Sequence, residues 1–276
     1  MTSTTRLYSI PKTAVSVPKL SRRALLTIEV LTPILLLAAW WVFSANSTNV
    51  FFPPLSRILQ RFRELWLFDH FMSDVVPSLA NLALGFAIAA VAGVILGMLM
   101  GTFKRLRWML SPIMDFFRSI PTVALVPIFI SLFGFGNETR VVSIAVASVF
   151  PIAIATMDGV RGLDQVRRDV ATVFKLTTFE RMLRVNLPGA SPMLFSGLQV
   201  GLMYAFIVMI ASEMLGISVG IGAITLESQQ TFRMADMWAG ILLLGVIGYL
   251  INLLFLLVRR RALRWYFASQ RVKRAS

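Results

Sequence analysis

Six stretches of the chain carry about 20 consecutive, mostly apolar residues each, near 26–45, 77–101, 109–133, 139–157, 191–215 and 237–258. At 1.5 Å of rise per residue, a helix of that length crosses a hydrocarbon core of roughly 30 Å, so the pattern predicts six spans in one domain over 26–258. Arg118, Pro112, Pro121 and Pro127 interrupt the third stretch, which predicts a kinked span or an interfacial entry before the crossing. Between the first two spans, Pro53-Pro54 precedes apolar positions at Leu55, Ile58, Leu59, Phe62, Leu65 and Trp66, the spacing of an amphipathic helix on the outer surface. Gly93, Gly97 and Gly101, and again Gly197 and Gly201, recur at four-residue steps. Such steps let backbones approach closely in lipid, either inside the bundle or at a seam between two copies.

Lysines and arginines orient the spans, because basic loops are retained in the cytoplasm. Of the 27 in the chain, 21 fall in the first 23 residues, at 104–107, at 161–184 and from 259 onward. That distribution predicts an inner-membrane protein with both termini cytoplasmic, a tail over 1–25 and a basic tail over 259–276. The first apolar run has no small-residue cleavage site, so the basic start reads as a tail and not as a signal peptide. Arg57, Arg61, Arg63, Arg140 and Arg233 are left outside, and Arg118 lies within the third span.

Composition narrows the chemistry. With 57% hydrophobic residues, 14% charged residues and a mean hydropathy of +0.76, lipid is the expected solvent. The net charge of +14 is broken up by apolar runs, so no nucleic-acid partner is expected. Cysteine is absent, and the single histidine, His70 beside Asp69, has no converging partners, so no metal is expected. Gly216, Gly220 and Gly222 lack the lysine of a phosphate-binding loop, so the chain is not expected to bind ATP. No paired carboxylates or nucleophile motif mark an enzyme. Arg118, Glu213 and Asp115 are the ionisable candidates within the spans, few for a proton-coupled carrier acting without an ATPase, which stands as the alternative function.

The segment 158–190 is too long and too patterned for a plain connector. Val166, Val170, Val173 and Phe174 share one helical face, and Phe179, Met182, Leu183 and Leu187 predict a second short helix. Thr177 with Glu180 three residues on is a capping box between them. A capped pair of short helices makes a stiff knob for a partner protein, against the plainer alternative of a hairpin lying on the membrane.

Within this segment, RRDVATVFKLTTFERMLRVNLPGASP resembles the signature loop of binding-protein-dependent ABC importer permeases. In that family the loop runs Glu-Ala-Ala, three residues, Gly, nine residues, Ile, one residue, Leu-Pro. Asp169, Val170 and Ala171 fill the first three places, Val185 the isoleucine place, and Leu187 and Pro188 the last two. Lys175 stands at the family's glycine. Lysine does not readily take φ > 0, so the bend is expected at Leu176 to Thr178. RSIPTVALVPIFISLFGFGNETR, from Arg118 to Arg140, is similar to the nitrate, sulfonate and taurine subfamily, as are ASEMLGISVGIGAIT and VRRRALRW. The resemblance covers roughly Pro77 to Trp265, with Asn252 where many relatives carry aspartate.

The resemblance implies an all-α fold, a six-helix type I importer transmembrane domain with a cytoplasmic coupling hairpin. It implies a second permease copy, ABC ATPase subunits that carry the ATP and Mg, surrounding membrane lipid, and a periplasmic or lipid-anchored solute-binding protein. Contact with the ATPase is then expected at Asp169, Val170, Ala171, Phe174, Lys175, Leu176, Thr177, Thr178, Glu180, Leu187 and Pro188. The pathway or gate is expected at Arg118, Pro121, Pro127, Tyr204, Glu213 and Met214. Arg118 can grip an anion with two parallel hydrogen bonds, or else snorkel to the interface and hold phospholipid. Glu213 suits a gate or helix packing, and Met203, Tyr204, Phe206 and Met209 suit core or a solute site. The solute is expected to be a small anion of the nitrate, sulfonate or taurine, bicarbonate or carboxylate class.

Overall fold

The computed structural model describes residues 21–216, 219–266 and 268, and all regular structure among them is helical. Most of the expected N-terminal tail and the end of the C-terminal tail lie outside the described residues. Helix α1 covers Arg22–Ser44 and α2 covers Leu55–Phe62, continuing in π-helical turns over Arg63–Asp69 and Phe71–Val75. Then come α3 (Val76–Thr102), α4 (Lys104–Ser119), α5 (Val126–Phe133) and α6 (Asn137–Arg161). They are followed by α7 (Gln165–Val173), α8 (Thr178–Arg181), α9 (Leu187–Gly216), α10 (Ile221–Gln230) and α11 (Met234–Ala262). The helical segments Phe71–Thr102, Asn137–Arg161, Thr178–Gly216 and Met234–Ala262 are each long and apolar enough to cross a membrane.

Helix α6 is the axis of the bundle, with its most extensive contacts to α3 on one side and α9 on the other. Glycines make this possible, because apolar side chains gain little by leaving lipid and helices there associate through close packing. A Cβ added to Gly85 would lie 2.7 Å from Ile144 Cγ2, one on Gly93 2.9 Å from Ile152 Cβ, and one on Gly101 2.6 Å from Val160 Cβ. Gly97 meets Thr156 in the same way. Each glycine thus receives the residue 59 positions further on, and that constant offset means α3 and α6 run parallel. On the other face Gly201 meets Ile152 and Gly197 meets Ala155, a reversed order that makes α9 antiparallel to α6. The four-residue glycine steps therefore serve packing within the bundle.

Parallel α3 and α6 require the chain between them to return across the bundle, and α4 with α5 makes that return. Over the third apolar stretch, where the sequence predicts a kink or an interfacial entry, the two helical segments Lys104–Ser119 and Thr122–Phe133 meet at 90°. Ile120 has φ −83° and ψ 127°, and Pro121 has φ −57° and ψ 115°, so both are extended. A residue before proline is driven out of the α region by the proline ring, which ends α4 at this point. Phe117 stacks on Phe150 of α6 with ring centroids 5.8 Å apart, which seats the elbow against the axis.

The amphipathic helix predicted after Pro54 is α2. Its buried Leu55 and Ile58, with Leu65 and Trp66 beyond it, pack on Ile221, Ile224, Ala239 and Leu243 of α10 and α11, while Leu59 faces outward. Large apolar side chains of α1, α3 and α11, such as Leu36, Val91 and Leu254, are exposed on the outside of the bundle, the character of a surface suited to lipid.

Candidate functional site

The segment after α6 folds as a braced hairpin. The Asp164 carboxylate caps α7 by accepting from the Val166 amide at 3.4 Å. At the other end, the Lys175 amide donates to the Thr172 carbonyl at 3.0 Å and the Leu176 amide to the Ala171 carbonyl at 3.1 Å. This is a Schellman ending, which needs one left-handed residue after the helix, and Lys175 takes it with φ +50°. The bend lies at Lys175 itself and not at Leu176–Thr178 as the lysine side chain suggested. Left-handed backbone costs a residue with a Cβ roughly 1–2 kcal/mol, which two satisfied helix-end carbonyls offset at about 1 kcal/mol each. Glycine at 175 keeps both bonds without the steric cost, so Lys175→Gly is expected to stabilise the hairpin by about 1 kcal/mol, read as slower amide hydrogen exchange over 165–181.

Beyond the bend, Thr177 Oγ1 accepts from the Glu180 amide at 3.3 Å and Glu180 Oε2 accepts from the Thr177 amide at 3.0 Å, closing the capping box ahead of Thr178. Asp169 Oδ1 accepts from Gln165 Nε2 at 3.0 Å, and Ala171 is buried. Val173, Phe174 and Phe179 are 78%, 73% and 70% exposed, and Val166 and Val170 add to the same apolar surface. The base is anchored. Leu187 packs with Met98, Val160 and Ala190, and Leu187 with Pro188 opens α9 directly after the π-helical turn Met182–Asn186 that carries the hairpin into it. Asn186 Nδ2 donates to Thr102 Oγ1 at 3.2 Å, tying the hairpin to the end of α3.

In the half of the bundle next to the hairpin lies a cavity of about 770 Å³ between the α4–α5 elbow, α6 and α9. Arg118, Pro121 and Tyr204 all line it, with Phe150, Ile154 and Val200 supplying apolar wall and Asp158 at the hairpin end. Arg118 Nε sits 3.4 Å from Asp115 Oδ1 in a solvent-exposed pair, so the guanidinium retains donors for another acceptor. Pro127, in the first turn of α5, lies outside the cavity wall, as do Glu213 and Met214.

Glu213 and Met214 occupy the last turns of α9, at the opposite end of the bundle. Glu213 is fully buried. Its Oε1 accepts from Ser78 Oγ and its Oε2 from the Gly222 amide at 2.9 Å. Asp74 Oδ1 accepts from the Gly220 amide at 2.7 Å and Asp74 Oδ2 pairs with His70 Nδ1 at 2.9 Å. Together these acceptors take up the free amides that open α10, where a negative charge also meets the positive end of the helix dipole. Arg140, two per cent exposed, donates to the Val219 carbonyl at 2.6 Å. Nothing in the sequence singles out Asp74, Ser78 and Arg140, since they come from segments far apart in the chain; Glu213 beside a glycine cluster was the only available signal.

Residues 89–265 match the model of the binding-protein-dependent transport system inner membrane component. The chain belongs to this family. It is 31% identical to a Bacillus subtilis protein named as an aliphatic sulfonates transport permease, SsuC, over 85% of this chain and 86% of that one. The bicarbonate transport system permease protein CmpB of Synechococcus elongatus is also 31% identical, over 83% and 86%. An inward-facing MetNI methionine ABC transporter shares the fold, with a TM-score of 0.60 and 20% identity over 68% of this chain and 94% of that chain. The protein is thus a multi-pass inner-membrane permease subunit of an ABC importer, of the nitrate, sulfonate and taurine branch. It is not itself an enzyme; ATP hydrolysis belongs to a separate ATPase, and a solute-binding protein completes the system.

Proposed function

We propose that this permease, paired with a second copy of itself, passes a small organic anion to the cytoplasm, driven by an ATPase that grips the 165–181 hairpin. Both termini and the hairpin face the cytoplasm, and ATP and Mg stay on the ATPase. The observation that carries the solute class is the cavity beside the elbow: one guanidinium with spare donors, Arg118, set in walls formed by Pro121, Phe150, Ile154, Val200 and Tyr204. A sulfonate or carboxylate group can take two parallel bonds from Arg118 while an aliphatic or aromatic body lies on those walls. Nitrate and bicarbonate, which relatives of the branch carry by name, have no such body to place there.

The test is ATP-dependent uptake in vesicles holding the permease, its ATPase and its binding protein, with alkanesulfonates compared against nitrate and bicarbonate. Arg118→Gln is expected to reduce sulfonate uptake about tenfold, the scale of one lost charged hydrogen bond, with Arg118→Lys in between. Full uptake by Arg118→Gln would remove the residue from the pathway, and uptake in the absence of the ATPase would reject the coupling.

A further inference from the structure

Five arginines, at 57, 61, 63, 140 and 233, stand at the end of the bundle opposite the hairpin, and three of them have a structural task. Arg140 is buried on the Val219 carbonyl. Arg61 forks onto Asp236, Nε to Oδ1 at 2.5 Å and Nη2 to Oδ2 at 3.1 Å, and these bonds hold its pKa above the usual arginine value. Arg233 donates to Glu227 at 2.9 Å. The Arg57 side chain has no hydrogen-bond or ion-pair partner among the described residues, and it lines a second cavity of about 570 Å³. Arg61, Arg233 and Asp236 line it too, with the turn at Ser47, Thr48 and Asn49. Asp236 with Glu64, 2.7 Å from Arg61 Nη1, and Glu227 on Arg233 already balance two of the three lining guanidiniums, so Arg57 is, among the described residues, the unpaired cation of the cavity and the group that asks for an anion.

The level of this cavity is marked by aromatic rings. Trp238 follows Asp236 by two residues, donates its Nε1–H to the Phe51 carbonyl at 2.9 Å, and packs against Trp40 and Phe52 with centroids 5.7 and 5.5 Å apart. Tryptophans gather at the headgroup level of a bilayer. Val50, Phe51 and Phe52 are exposed apolar side chains beside the same turn. Arginines, indole rings and exposed apolar side chains stand side by side here, the three kinds of surface that the phosphate, interface and acyl chain of a phospholipid would meet. A dissolved anion would use the arginines and leave the apolar row without a partner.

We propose that the cavity at Arg57, Arg61 and Arg233 binds the phosphate of an anionic phospholipid in the leaflet opposite the hairpin. The site follows from the membrane character of the chain and from neither its sidedness nor its solute, so a lipid-binding assay can fail while the transport assay succeeds, and the reverse.

The purified full chain in detergent is titrated with phosphatidylglycerol or phosphatidylcholine and followed by native mass spectrometry. Phosphatidylglycerol adducts should survive where phosphatidylcholine adducts do not. Arg57→Gln removes no contact inside the fold and should weaken phosphatidylglycerol binding about fivefold, the effect of one arginine at an anionic surface, with Arg57→Lys retaining most of it. Equal binding of the two lipids, or unchanged binding by Arg57→Gln, overturns the proposal. So does displacement of the lipid by millimolar inorganic phosphate, which would make the ligand a free anion. Normal lipid binding by Arg57→Gln joined to weaker capture of the solute-binding protein would reassign the cavity to protein docking.

Discussion

Replacing Gly220 with alanine is expected to destabilise the permease by at least about 3 kcal/mol, through backbone strain and a displaced buried carboxylate together. Gly220 has φ +120° and ψ 163°, a region that residues with a Cβ enter only under strain. An added Cβ would also lie 2.5 Å from Glu213 Cδ and 2.7 Å from its Oε1. That carboxylate has nowhere to go, because Ser78 and the Gly222 amide hold it in a fully buried site. Moving it leaves donors unpaired at the start of α10. The measurement is the melting temperature of the detergent-purified protein beside Gly245→Ala, a helical position where an added Cβ meets nothing within 4 Å. A melting temperature for Gly220→Ala as high as that control's would mean that the buried network does not hold α10 in place.

The second large effect falls on coupling. Changing Val173 and Phe174 together to aspartate should weaken ATPase capture about 1,000-fold, because apolar anchors at the centre of an interface carry roughly 2 kcal/mol each. Both side chains project from the hairpin, 78% and 73% exposed, so their loss should leave the melting temperature close to that of the wild type. ATPase that still copurifies at wild-type yield with a well-folded double variant would remove the hairpin from the coupling path. The pair is chosen over Ala171, which is buried and whose replacement would confuse folding with docking.

Much of the fold can be read directly from residue patterns. Apolar runs locate the long helices, the capping box at Thr177 and Glu180 forms as read, and the glycine steps do bring backbones together. Other features depend on energies that a pattern does not show. Lys175 could be judged only by its intrinsic dislike of left-handed backbone, and the two Schellman bonds that outweigh this dislike belong to Thr172 and Ala171. Three prolines announced a break in the third stretch without its angle, since Pro112 stays inside α4 while Pro121 forces Ile120 straight. Arg140, which the charge bias assigned only to the outer side, is buried against the Val219 carbonyl 79 residues away, a partner that no sequence pattern shows. Asn252, read only as a departure from relatives, accepts from Gln199 Nε2 at 3.3 Å and so links α9 to α11.

The interlocking of α3, α6 and α9 also limits how the protein can move. Ile144, Ile152, Thr156 and Val160 sit in the glycine notches of α3, and Ile152 fills a notch of α9 as well, so lengthwise sliding would have to lift every tooth at once. The three helices therefore behave as one plank. Were an ATPase stroke to reach the hairpin at the foot of that plank, it would tilt the plank as a lever, and the extended pair Ile120 and Pro121 would be the joint that bends.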